Sequence, residues 1–239
     1  MAFAPDEKSV ALDVDETRHL RDVLRLQDGD EVFVFDGAGR EFRCAIASIA
    51  KNSSELRVLS EVDPARAESP LNLTLAIVLL KHEKFDLVVQ KATELGVTRI
   101  VPITSERADV RPRPDESSGK RLARWQRIAL EAAKQSGRAR VPEIGQIAAL
   151  QTLLKTVQGE RLMFAERGGE PARKVFEAFP DSSSISALVG PEGGWTDAEM
   201  EFARDCGWKI VTLGGRVLRA ETAAITVAAL LQHRFGDLS

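Results

Sequence analysis

The spacing of apolar residues changes near residue 70, and each side of that change predicts a different architecture. Before it, apolar positions come in short runs separated by turn residues. Val10 to Leu12, Val32 to Phe35, Phe42 to Ile49 and Leu56 to Val62 read as strands. Asp28-Gly29, Asp36-Gly37 with Gly39, and Lys51-Asn52 read as turns, the second of them closing a hairpin. Glu16 to Leu24 reads as a short helix with Leu20, Val23 and Leu24 on one face. Several short strands with regular turns predict a small barrel. The polar stretch Asp63 to Pro70 carries two prolines and reads as a linker.

Beyond the linker the pattern alternates between strand and helix. Leu71 to Leu80 is nearly all apolar, as in a strand buried on both faces. Glu83 to Leu95 places Phe85, Val88, Val89, Ala92 and Leu95 on one helical face, and Gly96 reads as its C-cap. Thr98 to Ile103 is the next strand, and Arg111 to Asp115 an exposed loop. A helix from Ser117 to Ser136 turns Leu122, Trp125, Ala129 and Ala132 inward and Arg121, Arg124, Arg127 and Lys134 outward. Arg161 to Glu166, Ile185 to Val189 and Lys209 to Leu213 read as further strands. Thr196-Asp197-Ala198-Glu199 is a capping box that starts a helix to about Cys206, and Glu221 to Arg234 is the closing helix. This alternation predicts an α/β domain on a mainly parallel sheet. The expected domains are 1–68 and 69–239.

Composition narrows the function more by exclusion than by assignment. The formal net charge of −3 over 239 residues rules out a uniformly basic glove for nucleic acid, although arginines cluster locally. Cys44 and Cys206 lie far apart and read as buried free thiols. No apolar run reaches transmembrane length, and the first residues hold no signal-peptide core, so a cytoplasmic protein without a membrane partner is expected. Tyrosine is absent, which leaves Phe, Trp, His or Arg for any base stacking. There is no GxxxxGK[ST], no GxGxxG after the first strand of the second region, no HExxH and no CxxC. The histidines are scattered, and His82 and His233 carry no motif, so no metal site is expected.

Two glycine loops hold the candidate chemistry. Gly190-Pro191-Glu192-Gly193-Gly194 follows one predicted strand, and Leu213-Gly214-Gly215-Arg216-Val217-Leu218-Arg219-Ala220-Glu221-Thr222 follows another. Glycines let a backbone approach a ligand closely, and loops at strand carboxyl ends bind ligands in open α/β sheets. The words LVGPEGGWTDAE and LGGRVLRAETAA, with KATELGV and EAAKQSGR upstream, resemble the RsmE family of the SPOUT methyltransferases. The resemblance implies a carboxyl-terminal trefoil knot, a small amino-terminal PUA-like barrel that binds RNA, and a homodimer. It implies methyl transfer from S-adenosylmethionine to N3 of a uridine in 16S rRNA of the small ribosomal subunit. It also implies that Leu188 to Gly194 and Leu213 to Ala223 line the cofactor, with Phe164-Ala165-Glu166 as a third wall. Within those segments the residues singled out are Phe164, Leu188, Val189, Gly190, Glu192, Gly193, Gly194, Leu213, Gly214, Val217, Leu218, Ala220, Thr222 and Ala223.

Uracil N3 carries a proton, so the reaction needs a base or a stabiliser of charge on O2 and O4. The candidates are the carboxylates Glu94, Glu192 and Glu221 and the guanidiniums of Arg138, Arg216 and Arg219. Arg219 and Glu221 are favoured, with Glu94 and Arg138 brought in by the upstream words. The competing roles are structural: an ion pair for Glu94 and Arg138, loop bonding for Glu192, and a helix cap for Glu221. Arg18, His19, Arg21 and Arg25, around the family-like word HLRDVLR, are candidate RNA contacts or simply a solvated face. Lys84, Lys91 and Arg107 complete the candidate RNA contacts. The rival readings are a ribose 2′-O methyltransferase of the same fold, an assembly protein without catalysis, and a nucleotide-binding α/β protein.

Overall fold

The computed structural model describes residues 8–81, 83–110, 118–179 and 182–238. The predicted loop at Arg111 to Asp115, together with Ser117 and His82, lies outside the described residues. The chain divides into two compact units. One runs up to Glu68 and takes in Gly137–Val141, and the other holds Ser69–Ser136 and Pro142–Ser239.

In the first unit, β1 (Ser9–Leu12), α1 (Val14–Arg18), β2 (Glu31–Phe35), β3 (Glu41–Ile49) and β4 (Ser54–Val62) build an antiparallel sheet of order β1-β4-β3-β2. Val10, Leu20, Val32, Phe42, Cys44, Ile46 and Leu56 form its core. Burial pushes the Cys44 thiol pKa up, as in an inert core residue, while Cys206 in the second unit is free and half-buried. The predicted helix is broken by a π-helical turn at His19–Val23, where Leu24 N–H donates to the His19 carbonyl. The wider turn shifts the register. Val23 and Leu24 therefore face solvent, 65% and 50% exposed, and Leu26 returns to the core in their place. At the β2–β3 hairpin, burial alone would raise the Asp36 pKa. The N–H groups of Ala38 and Arg40 and the Arg40 guanidinium outweigh it and hold the carboxyl below its usual range.

The second unit follows with β5 (Asn72–Val78), α2 (Glu83–Glu94), β6 (Arg99–Thr104), α3 (Ser118–Ser136), β7 (Glu143–Ile144), β8 (Ala148–Ala149) and α4 (Leu150–Thr156). After these come β9 (Glu160–Phe164), β10 (Glu170–Pro171), α5 (Ala172–Glu177), β11 (Ser184–Val189), α6 (Asp197–Asp205), β12 (Lys209–Thr212) and α7 (Ala220–Phe235). The strands form one parallel sheet of order β10-β12-β9-β11-β5-β6-β7, with β8 also paired to β6.

On one face Leu150, Leu153 and Leu154 of α4, Met200 and Ala203 of α6, and Trp195 and Trp208 pack over Val78, Ile103, Met163, Leu188 and Ile210. On the other, α7 packs on β5 and β11 and against α2. The Phe85 and Trp125 rings, 4.4 Å apart, join α2 to α3. Ala224, Val227, Ala228 and Leu231 of α7 are fully buried within the chain, so that face packs on its own sheet. The capping box is present as the sequence predicts: Thr196 Oγ1 accepts from Glu199 N–H, and Glu199 Oε2 accepts from Thr196 N–H. Gly96 ends α2 with φ +76, and the following Val97 N–H donates to the Ala92 carbonyl, a Schellman closure. A side chain at Gly96 would strike Gln232 of α7, which explains a glycine in the KATELGV word without any ligand.

Candidate active site

β12, β9 and β11 are neighbours in the sheet and run in the same direction. Their carboxyl ends therefore open on one side, where ligand sites form in α/β sheets. The segments that follow enclose a cavity of about 350 Å³. Phe164, Ala165 and Glu166 give one wall, Val189 to Pro191 with Gly194 and Trp195 a second, and Thr212 to Leu218 a third. Ala220 and Ala223 of α7 close it. That volume lies within the range of about 300–1,000 Å³ typical of small-molecule sites.

The first glycine loop is shaped by packing. Trp195 is buried, and its indole Nε1 donates to the Phe164 carbonyl at 2.9 Å, tying the loop to the end of β9. A Cβ at Gly190 would lie 2.8 Å from that indole ring. Gly194 closes a tight turn, its N–H donating to the Pro191 carbonyl at 3.0 Å, with φ +64 and the Glu166 carboxylate against its Cα. Arg107 Nη1 donates to the Gly193 carbonyl at 3.0 Å and clamps the loop from outside.

The second loop is open. Gly214 has φ +90, and Arg216 N–H donates back to its carbonyl at 2.8 Å. A Cβ at Gly214 or Gly215 would meet nothing within 4 Å, although both residues line the cavity. Both residues are exposed, and no side chain of their own covers the wall they form. The loop leads into α7, where Arg219 is the N-cap residue and makes no side-chain capping bond.

A charged cluster adjoins this wall. Lys84, in the first turn of α2, pairs with Glu192 and stands 3.8 Å from Glu221 Oε1. The hydrogen bond to Glu192 raises the Lys84 pKa, desolvation opposes it, and Arg219 is close enough to lower it slightly. The Glu221 side chain is 12% exposed, and its Oε2 is buried without a hydrogen-bond partner among the described residues.

Comparison with known proteins places this geometry. The RNA methyltransferase domain family matches residues 67–232, and the RNA methyltransferase PUA domain family matches residues 12–59. The ribosomal RNA small subunit methyltransferase E of Synechocystis is 35% identical, over 96% of this chain and 75% of its own length. The chain belongs to the ribosomal RNA small subunit methyltransferase E family. The Bacillus subtilis family member is 30% identical, over 92% of this chain and 88% of its own. A Neisseria gonorrhoeae member solved with S-adenosyl methionine matches with TM-score 0.87 at 34% identity, over 100% of this chain and 98% of that one. The methyltransferase Lpg2936 of Legionella pneumophila, in complex with the same cofactor, matches with TM-score 0.87 at 31% identity, over 100% and 96%.

Of the residues the family words implied for the cofactor, Phe164, Val189, Gly190, Gly194, Leu213, Gly214, Val217, Leu218, Ala220 and Ala223 line the cavity. Leu188 does not, because alternation along β11 turns it into the core beneath. Glu192 turns to Lys84, Gly193 sits against Arg107, and Thr222 is exposed, so these three also lie outside the lining. Trp195 and Thr212 are lining residues outside the implied segments. The tryptophan directly after the double glycine is a signal that names Trp195, whereas Thr212 ends a strand and shows none.

Glu94 does not line the cavity. It bonds Lys91 at 2.8 Å, ten residues from Lys84 and so about 15 Å along the helix. Arg138 does not line the cavity and is engaged by Glu68 at 2.7 Å within the first unit. Lys84, Lys91 and Arg107, expected as RNA contacts, each bond a protein group: Glu192, Glu94 and the Gly193 carbonyl. Arg18, His19 and Arg25 are exposed on the first unit, while Arg21 pairs with Asp22 and donates to the Lys51 carbonyl. Among the described residues no group of three or more His, Cys, Asp or Glu is placed to hold a metal, and no helix is long and apolar enough to cross a membrane.

Proposed function

We propose that this protein transfers a methyl group from S-adenosylmethionine to N3 of a uridine in 16S rRNA of the small ribosomal subunit. The observation that carries the reading is the cavity where three strand-end loops meet, walled largely by backbone and small residues in a member of this family. The bare Gly214-Gly215 backbone leaves room for a nucleoside-sized ligand, and Val217, Leu218, Ala220 and Ala223 offer it apolar cover. The residues present therefore fit the cofactor. Bound S-adenosylmethionine supplies an electrophilic methyl group on a sulfonium, whose leaving group is a neutral thioether.

The chain's own task is to ready N3. Glu221, next to the lining residue Ala220 at the start of α7, is the carboxylate that would take the N3 proton. Arg219, adjacent in sequence to the cavity wall and pairing with no carboxylate among the described residues, can steady charge developing on O2 or O4. When bound, the cofactor would supply the methyl group and leave as its thioether, while Glu221 would take the N3 proton and Arg219 would steady the base. N3 lies on the Watson–Crick edge, so the target base is unpaired or flipped out. Arg18, His19, Arg21 and Arg25 of the first unit supply phosphate contacts in this reading, and binding weakens with salt.

The same reading includes a trefoil knot, a homodimer and a cytoplasmic setting. The return of the chain from β12, on the far side of β9, to α7 on β5 and β11 supports the knot. Val217 is 79% exposed and Leu230 38%, which leaves apolar surface for a second copy. The deciding experiment supplies labelled S-adenosylmethionine and small subunits lacking the modification, then identifies the labelled nucleoside. N3-methyluridine is expected. Label on ribose would overturn the specificity, and no label on any RNA would overturn the activity.

A further inference from the structure

Lys84 is a candidate RNA contact in the sequence, and its surroundings also give it work within the protein. Its ammonium pairs with Glu192 in the loop after β11 and stands 3.8 Å from Glu221 Oε1 on α7. One cation thus joins three elements that are far apart in sequence. The chain neighbours of both carboxylates, Pro191 and Ala220, line the cavity. The hydrogen bond from Lys84 to Glu192 favours the ammonium form, against the desolvation that opposes it.

Glu221 needs such support. Its side chain is 12% exposed, with Oε1 toward Lys84 and Oε2 buried without a donor among the described residues.

We propose that Lys84 is a positioning residue of the methyl-transfer site. It ties the loop that carries Glu192 to the first turn of α7 that carries Glu221, and so fixes the two segments whose residues Pro191 and Ala220 line the cavity. This rests on the methyltransferase reading above. Lys84 does not touch the reacting atoms and acts through the two carboxylates.

The test uses the full-length wild type, Lys84→Met and Lys84→Arg, each shown to be folded by thermal unfolding. Methylation of unmodified small subunits is followed at several subunit and salt concentrations. Lys84→Met is expected to lower kcat by roughly 10- to 100-fold, the scale of a catalytic group misplaced by about 1 Å. KM for the subunit and its salt dependence stay at wild-type values. Lys84→Arg keeps the charge and recovers most of the rate. Adding Glu192→Gln to Lys84→Met costs little more, because the two groups act as one unit.

A phosphate contact predicts the opposite split. If Lys84→Met keeps kcat, raises KM and flattens the salt dependence by about one phosphate contact, the proposal is overturned. An active wild type with unmoved Lys84→Met kinetics overturns it alone. A wild type that transfers no label overturns the methyltransferase reading and this proposal together.

Discussion

The two glycine loops of the cavity are written in similar letters and built for different physical reasons. In the first, glycine makes room for protein: Gly190 for the Trp195 indole, Gly194 for the Glu166 carboxylate. In the second, Gly214 and Gly215 make room for nothing in the chain, are exposed, and line the cavity. A glycine pressed by neighbours belongs to the fold, and a glycine facing open space beside a cavity belongs to the ligand. The first loop should therefore report mutations as lost stability, and the second as lost affinity.

The largest effect is expected at Gly190. A Cβ there meets a buried ring fixed by its bond to the Phe164 carbonyl, so Gly190→Ala should cost about 2–3 kcal/mol in urea unfolding, an overpacking cost. Unchanged stability would remove the packing explanation. Gly194→Ala comes next, at about 1–2 kcal/mol for a left-handed residue made chiral. Its clash is with the mobile end of Glu166, so the double change with Glu166→Ala should regain part of the loss but not the backbone share.

Gly214→Ala should cost about 1 kcal/mol, from its positive φ alone, since its surroundings are open. Gly215→Ala sharpens the contrast most. Stability should stay within about 0.5 kcal/mol of wild type, while calorimetry should show S-adenosylmethionine binding weakened about tenfold, or 1.4 kcal/mol. If Gly190→Ala lost only affinity, or Gly215→Ala only stability, the division between the loops would fail.

This division was hidden in the sequence, although the loops themselves were plain. A double glycine after an apolar run states that something comes close, and only the fold states whether it is a ring or a ligand. What local chemistry determines was readable: the Thr196–Glu199 capping box, the Gly96 helix end, and the buried faces of α2 and α3. The two-residue strands β7, β8 and β10 carry too few positions to show a period. The π-helical turn at His19 also leaves no mark in an apolar pattern, so the pattern puts Val23 and Leu24 on one face with Leu20, whereas Leu26 is the residue that packs on the core.

Long-range pairing was the other blind spot. Lys84 and Glu192 are 108 positions apart, and a lysine in a helical first turn looks the same whether it meets a phosphate or a carboxylate. Glu94 shows the converse. Its word marks a junction between α2 and α7, where Gly96 abuts Gln232, and the glutamate in that word bonds a lysine one turn away.

The strand order has a consequence for how the chain is made. β12 lies between β9 and β10, both of which precede it in sequence. A sheet assembled from β6, β5, β11 and β9 would still show the open main chain of β9 from Leu162 to Phe164, the stretch that β12 later covers. β10 would have no partner until β12 arrived. Such an unpaired, apolar edge is what recruits strands from other chains. A nascent chain that paired its strands as they were made would pass through a stage at which its sheet is incomplete at the very strands that support the cavity. Crowded synthesis at that stage, more than any weakness of the finished fold, is where aggregates of this protein should arise.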